Sequence, residues 1–221
     1  MRTFLVLVAC AALHAASGAR MARGQQVESP PAGPSLPNAP YVAPAVGTRE
    51  VYTGFVNRIA RNAGWRTEYT DNAGRPGARM GLFMADNPKM PVAMDTALFT
   101  RLWPLRRNGE VVIETQRYPR KWLWKIKVLG TERVKVPAGT FDCWVVETLE
   151  QPTVTTSKVA YSYVSVFYYA PSIASVVKFK QTVLSGTRRG QARRAELVRL
   201  ERPGKEPVGG LQIPAMAGKK P

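Results

Sequence analysis

The sequence predicts a mainly β protein: a curved antiparallel sheet, either a half-barrel or a partly closed barrel, with one short helix near residues 91–103. Three observations predict it. From Val51 onward apolar residues recur with a period of two, which puts alternate side chains on one face of a strand. β-Branched and aromatic residues dominate those runs. Short turns separate them, and short connections join antiparallel neighbours.

Taken in order, Arg49 to Arg58 reads as a first strand. Asn62-Ala63-Gly64 and Asn72-Ala73-Gly74 are turns bounding the short strand in WRTEYTD. Met80 to Met84 reads as another short strand. In PVAMDTALFTRLW, Pro91 to Trp103, the residues Met94, Leu98 and Leu102 repeat every four, and Pro104 stops the run. That predicts the helix; an irregular crossover is the competing reading. After the Asn108-Gly109 turn, Val111, Ile113 and Thr115 face one way, and Glu110, Glu114 and Gln116 the other. KWLWKIKV places Trp122, Trp124, Ile126 and Val128 on one face, with Lys121, Lys125, Lys127 and Leu123 opposite. Further strands are read over Phe141–Glu150, Thr153–Tyr169, Ile173–Leu184 and Ala195–Glu201.

These elements fall within 48–202, about 155 residues and so a single β domain. The segments on either side differ. Residues 1–19 read as a secretory signal. Arg2 is the positive end, Phe4 to Leu13 is an apolar run of about ten residues, and Ser17-Gly18-Ala19 is a small-residue cleavage site. The run is too short to span a bilayer. Leu7-Val8-Ala9-Cys10 fits a lipoprotein box, but Cys10 comes early and apolar residues follow it, so lipidation there is not expected. The mature chain is expected in the bacterial periplasm or outside the cell, without a transmembrane span. Residues 20–47, with Pro30, Pro31, Pro34, Pro37, Pro40 and Pro44, read as a Pro-rich linker, and 203–221 as a disordered tail.

Charge and chemistry narrow the function. The chain has 32 Lys and Arg against 15 Asp and Glu, a net charge of +17. Such a charge attracts polyanions. In this compartment those are anionic lipid, lipopolysaccharide and acidic glycan, with peripheral membrane contact among the outcomes. Nucleic acid fits the charge but not the compartment, and scattered solvated Arg is the competing reading. His14 is the only histidine and leaves with the signal. A Ser-His-Asp or Cys-His arrangement is then closed to the mature chain, as are most zinc sites. Cys143 is the one remaining thiol; it alternates with Phe141 and Val145 and reads as buried and inert. There is no phosphate-binding G-x-x-x-x-G-K-[ST] and no G-x-S-x-G. Glu110, Glu114, Glu132, Glu147 and Glu150 offer carboxylates in ordinary strand settings. No catalytic residue, metal or cofactor is expected, although a two-carboxylate glycan hydrolase needs no histidine.

Three stretches are candidate binding elements. GTRRGQARR crowds Arg188, Arg189, Arg193 and Arg194 onto one hairpin connection, able to grip phosphate or carboxylate. Solvation of like charges at a tip explains it equally. RYPRKWLWKIK interleaves basic and aromatic residues; period two explains that as Trp inward and Lys outward, and in a curved sheet Trp122 and Trp124 would line a cavity. AYSYVSVFYYAP puts Tyr161, Tyr163, Phe167 and Tyr169 on one face, as core, cavity lining or a sugar-stacking strip.

The run GTERVKVPAGTFDCWVVE is similar to the signature of a group of secreted and periplasmic bacterial domains of unknown function. In that group a strand ends in V-P-A-G-T-F and the chain turns back. Leu102-Trp103-Pro104-Leu105 and Tyr168-Tyr169-Ala170-Pro171 also resemble its pattern, but Ala174 stands where the group usually has Gly. The resemblance covers Leu102 to Lys180. It implies an architecture like the half-barrel lipoprotein carriers of the envelope, whose curved sheet holds acyl chains. The corner itself has structural work to do. Pro137 ends the strand, Gly139 reverses the chain, Thr140 can bond the turn, and Phe141 re-enters the core. The leading expectation is an exported, non-catalytic domain that binds a lipid-like, amphipathic anionic ligand in the sheet. A surface binder of acidic glycan or lipopolysaccharide, an envelope scaffold and the His-free hydrolase are the alternatives.

Overall fold

The computed structural model describes residues 33–38, 40–85, 100–117, 120–153 and 161–209. The described strands are β1 (Arg49–Tyr52), β2 (Phe55–Ala63), β3 (Arg66–Thr70), β4 (Pro76–Met80), β5 (Phe83–Ala85), β6 (Glu110–Arg117), β7 (Arg120–Val136), β8 (Gly139–Pro152), β9 (Tyr163–Ala170), β10 (Ser175–Val183), β11 (Ala192–Glu201) and β12 (Val208–Gly209). They form one antiparallel sheet in the order β5-β4-β3-β2-β1-β11-β10-β9-β8-β7-β6, with β12 on β11. The sheet is mainly a meander and does not close: β5 and β6 end the order. It folds over on itself. Phe83 in β5 packs edge-on against Trp124 in β7 and Phe167 in β9, at 5.8 and 5.3 Å between ring centroids. The protein therefore has two limbs, β1–β5 and β6–β10, sharing β11.

β11 makes the corner between the limbs. Its first half, Ala192 to Glu196, pairs with β10, and its second half, Leu197 to Glu201, pairs with β1. The β7–β8 hairpin reaches both apolar cores by a different device. Val128 pairs with Val146, but Gly130 pairs with Val145, so Leu129 is an extra residue. A one-residue bulge moves every later side chain to the other face. Trp124, Ile126 and Val128 accordingly fill one core with Phe83 and Phe167, whereas Val134 and Val136 fill a second with Cys143, Leu197 and Leu200.

Several expected boundaries are corrected. Arg49–Arg58 is not one strand: the chain reverses at Thr53-Gly54, with Gly54 at φ 99°. Met80–Met84 is likewise the turn of a hairpin, because Gly81 adopts φ 56° and splits it into β4 and β5. The expected helix over 91–103 lies mostly outside the described residues; 100–102 are helical. Leu36 and Tyr41, in the segment read as linker, pack on the first core, since their apolar groups have a place to bury. β12 lies in the segment read as a disordered tail and pairs with Arg199 and Leu200. Residues 1–19 are outside the described set.

The Pro137-Ala138-Gly139 corner docks on the shared strand. Ala138 donates its backbone N–H to the Leu197 carbonyl at 3.0 Å. Gly209 lies so close that a Cβ there would sit 2.4 Å from the Ala138 Cα. The corner thus sets how the hairpin meets β11 and β12, which is structural work. After β9, Pro171–Ile173 form a short 3-10 turn that ends at Ala174 in the left-handed region, φ 53°. This is the position where the resembled group has Gly, and the backbone explains why.

A buried ion pair inside the first limb is bonded to the second through Ser175. Arg79 in β4 donates Nη1 and Nη2 to the two Glu50 carboxylate oxygens in β1, both at 2.9 Å. Ser175 in β10 donates to Glu50 at 2.7 Å, and Asn57 in β2 at 3.5 Å. Glu50 is 0 % exposed and Arg79 5 %. Burial alone would push the Glu50 carboxyl up; the Arg79 charge and the bonds from Arg79, Ser175 and Asn57 outweigh it and hold it below the ordinary carboxylate range.

Glu50→Gln strands the Arg79 charge and should cost about 3–5 kcal/mol in urea unfolding, while Glu50→Leu with Arg79→Met should recover most of that. The folded carboxyl titrates below its unfolded value, so its contribution is complete above the ordinary carboxylate range and is lost as pH falls through the depressed value. Wild type should therefore lose more stability on acidification than the double variant; equal losses would refute the clasp. Ala174→Gly relieves a left-handed alanine and should raise stability by about 1 kcal/mol, read as an increased denaturation midpoint.

Candidate functional site

The apolar half of the concave face is full. Leu82, Phe83, Trp103 and Leu105 cover Ile113, Trp124 and Ile126, all buried. Beyond them the limbs part, and a cleft of about 950 Å³ opens between β2–β4 on one side and β9–β11 on the other.

Register explains what lines it. Val146 pairs with Phe167, which pairs with Phe179, which pairs with Ala195, an apolar row at the inner edge. The next row runs Thr148, Ser165, Gln181, Arg193 and is polar throughout. The row after it runs Glu150, Tyr163, Val183. Phe55, Asn57 and Tyr69 face these rows from the first limb. Gln181 Nε2 donates to Ser165 Oγ at 3.2 Å, which fixes the amide and leaves its carbonyl oxygen as an acceptor.

Of the residues nominated from sequence, Tyr161, Tyr163, Phe167, Arg188, Arg193 and Arg194 all border this cleft. Phe167 is buried at its floor; Tyr161 and Tyr163 are half-buried, with ring centroids 6.2 Å apart. Arg193 pairs with Gln181 and so shares the cleft face; Arg194 pairs with Lys180 and borders the cleft from the rim. Trp122 stacks on Tyr163 at 6.5 Å from outside the lining, and Trp124 is 1 % exposed in the filled core. Arg189 is exposed and does not line the cleft.

The arginine tip is built into the fold. Leu184 donates its N–H to the Ser162 carbonyl at 2.7 Å, and Ser162 donates its N–H to Ser185 Oγ at 2.9 Å. Tyr161 Oη and Thr187 Oγ1 lie 2.9 Å apart in a hydrogen bond. Across the mouth, Asp71 accepts the backbone N–H of Arg75 at 2.9 Å and of Ala73 at 2.8 Å, and Arg75 Nε at 2.6 Å. These bonds, the Arg75 backbone bond foremost, hold its carboxyl below the usual range. Arg75 and Asp71 thus satisfy each other, and Arg188, Arg193 and Arg194 against Glu150 leave the rim positive.

Sequence reasoning missed Phe55, Asn57, Phe179 and Gln181 as lining. Phe179 and Gln181 alternate in β10 as Tyr163 and Ser165 do in β9, so their shared face was readable. That it faces β2 was not, because only the fold-over supplies that. Among the described residues no group of three or more His, Cys, Asp or Glu is placed to hold a metal, and no helix is long and apolar enough to cross a membrane.

Residues 92–193 match a family described as a protein of unknown function (DUF3108). That span encloses Leu102–Lys180, where the sequence resembles a group of unknown function, and includes most of the second-limb cleft lining. No curated protein matches the chain. Among solved structures it is similar to the hypothetical lipoprotein YmcC from Escherichia coli, at 7% identity over 68% of this chain and 81% of that one, with a TM-score of 0.43. It is also similar to a presumed exported protein with a YmcC-like fold from Bacteroides fragilis, at 17% identity over 74% and 100%, TM-score 0.41. A presumed lipoprotein from Parabacteroides distasonis gives 15% identity over 74% and 99%, TM-score 0.40.

Cys143 lies outside the cleft. It is fully buried, and burial, with the Asp142 and Glu132 charges, pushes its thiol up to about 12. Native protein treated with a maleimide should carry no label on the Cys143 peptide; the same peptide should label fully in urea. Rapid native labelling would show an accessible thiol and contradict this placement.

Proposed function

We propose that this chain is an exported, non-catalytic domain of the bacterial envelope that holds an amphipathic, anionic ligand in the cleft between its limbs. One observation carries the reading: the fold gathers Tyr161, Tyr163 and Phe167 with Arg188, Arg193 and Arg194 around one opening. Ligand sites are concave, largely apolar and aromatic, with a few placed polar groups. Phe55, Phe167 and Phe179 offer the apolar contact. Guanidinium groups at the rim match carboxylate or phosphate with paired hydrogen bonds. The leader-like residues 1–19 support export, and the charge of +17 supports an anionic partner.

The test uses two amphipathic anions as probes: anilinonaphthalene sulfonate, followed by fluorescence, and lysophosphatidylglycerol below its micelle concentration, followed by calorimetry. Saturable binding at one site is expected. Arg193→Ala with Arg194→Ala should weaken it about tenfold or more, the size of lost charge-assisted bonds. Arg189→Ala should leave it unchanged. Failure of these probes and of the acidic saccharides used below to saturate, or equal loss with Arg189→Ala, would overturn the reading.

A further inference from the structure

We infer that the ligand class this cleft selects is an acidic saccharide, sugar rings bearing carboxylate or phosphate, with the rings inside and the charge at the rim. The inference rests on the cleft being the binding site and adds what the site is shaped to hold. Three features of the lining decide between a sugar and an acyl chain.

An acyl chain needs a continuous apolar channel. The stretch of concave face that would supply one is occupied: Phe83 sits edge-on between Trp124 and Phe167, and Trp103 packs edge-on against Tyr169 at 5.5 Å. The open stretch is crossed by the Ser165, Gln181, Arg193 row. Laying a hydrocarbon over that row would strip water from an amide and a guanidinium and return no hydrogen bonds, which is unfavourable.

A pyranose has the opposite requirements. It presents one apolar C–H face and a belt of hydroxyls. Tyr161, Tyr163, Phe55 and Phe179 line the same cleft as Gln181 and supply aromatic surface there. The Gln181 carbonyl oxygen accepts from a hydroxyl, and Arg193, beside it in the same row, takes the acidic group.

The test is calorimetric titration of the full protein with two acyl-free probes: a galacturonate tetrasaccharide, bearing carboxylates, and a deacylated lipopolysaccharide core, bearing phosphates. A neutral dextran hexasaccharide and lysophosphatidylglycerol are the comparators. At least one acidic saccharide should bind, and the pair separates the two sources of charge. Gln181→Leu, which keeps volume and removes the amide, should weaken saccharide binding about tenfold or more and leave lysophosphatidylglycerol binding intact or tighter. Thermal unfolding checks that the variant folds. If lysophosphatidylglycerol binds and neither saccharide does, the inference falls and the cleft reading stands. If neither class binds, both fall. Saccharide binding indifferent to Gln181→Leu and Arg193→Ala places the sugar elsewhere on the basic surface and also overturns the inference.

Discussion

The arrangement of this protein depends on one buried ion pair. Glu50 and Arg79 lie on β1 and β4, not adjacent strands, and meet through two bonds of 2.9 Å with Ser175 of the opposite limb as a further donor. Removing two charges from water is expensive, and good geometry with full hydrogen bonding is what offsets it. The pair therefore tolerates little displacement of β1, β4 or β10. It also touches the site: Asn57 donates to Glu50 on one side and lines the cleft on the other. One wall of the cleft is thus bonded to the Glu50–Arg79–Ser175 cluster through Asn57.

The second constraint is how one hairpin serves two cores. Without the extra residue at Leu129, Val134 and Val136 would continue on the face of Trp124 and Ile126. They would then have no partner, since β11 lies on the opposite side. With it, they meet Leu197 and Leu200, and the Pro137-Ala138-Gly139 corner lands on β11. Gly130, at φ 145° and buried, makes the bulge practicable. The corner and the bulge act together: one aims the hairpin end and the other turns its side chains.

Local pattern made much of this legible. Period two found most of the strands, put Trp124 inward and Lys121, Lys125 and Lys127 outward, and marked Cys143 as buried. It failed where a glycine alone decides. Gly54 and Gly81 reverse the chain inside runs whose alternation looks unbroken. It also failed where the partner is distant. Nothing around Glu50 or Arg79 marks them as a pair, since twenty-eight residues and two intervening strands separate them in sequence. The candidate site divides the same way. The Tyr161–Phe167 strip and the arginine tip carry local signals, but Phe55 and Asn57 join them only through the fold-over.

Strand length explains why a filled core and an open cleft share one face. β3 and β4 have 5 residues each and β5 has 3, while β7 has 17 and β8 has 14. The short limb cannot cover the long one. It covers the part where Phe83 finds Trp124 and Phe167, and there the face is apolar because it is dry. The uncovered part must stay compatible with water, and there the row runs out from buried Ser165 to half-buried Gln181 and exposed Arg193. A surface that is aromatic enough to hold a ring and polar enough to remain wet is poorly suited to hydrocarbon, and it is well suited to a ligand that is itself both. The mismatch of the limbs thus sets both the place of the cleft and the polarity of its lining.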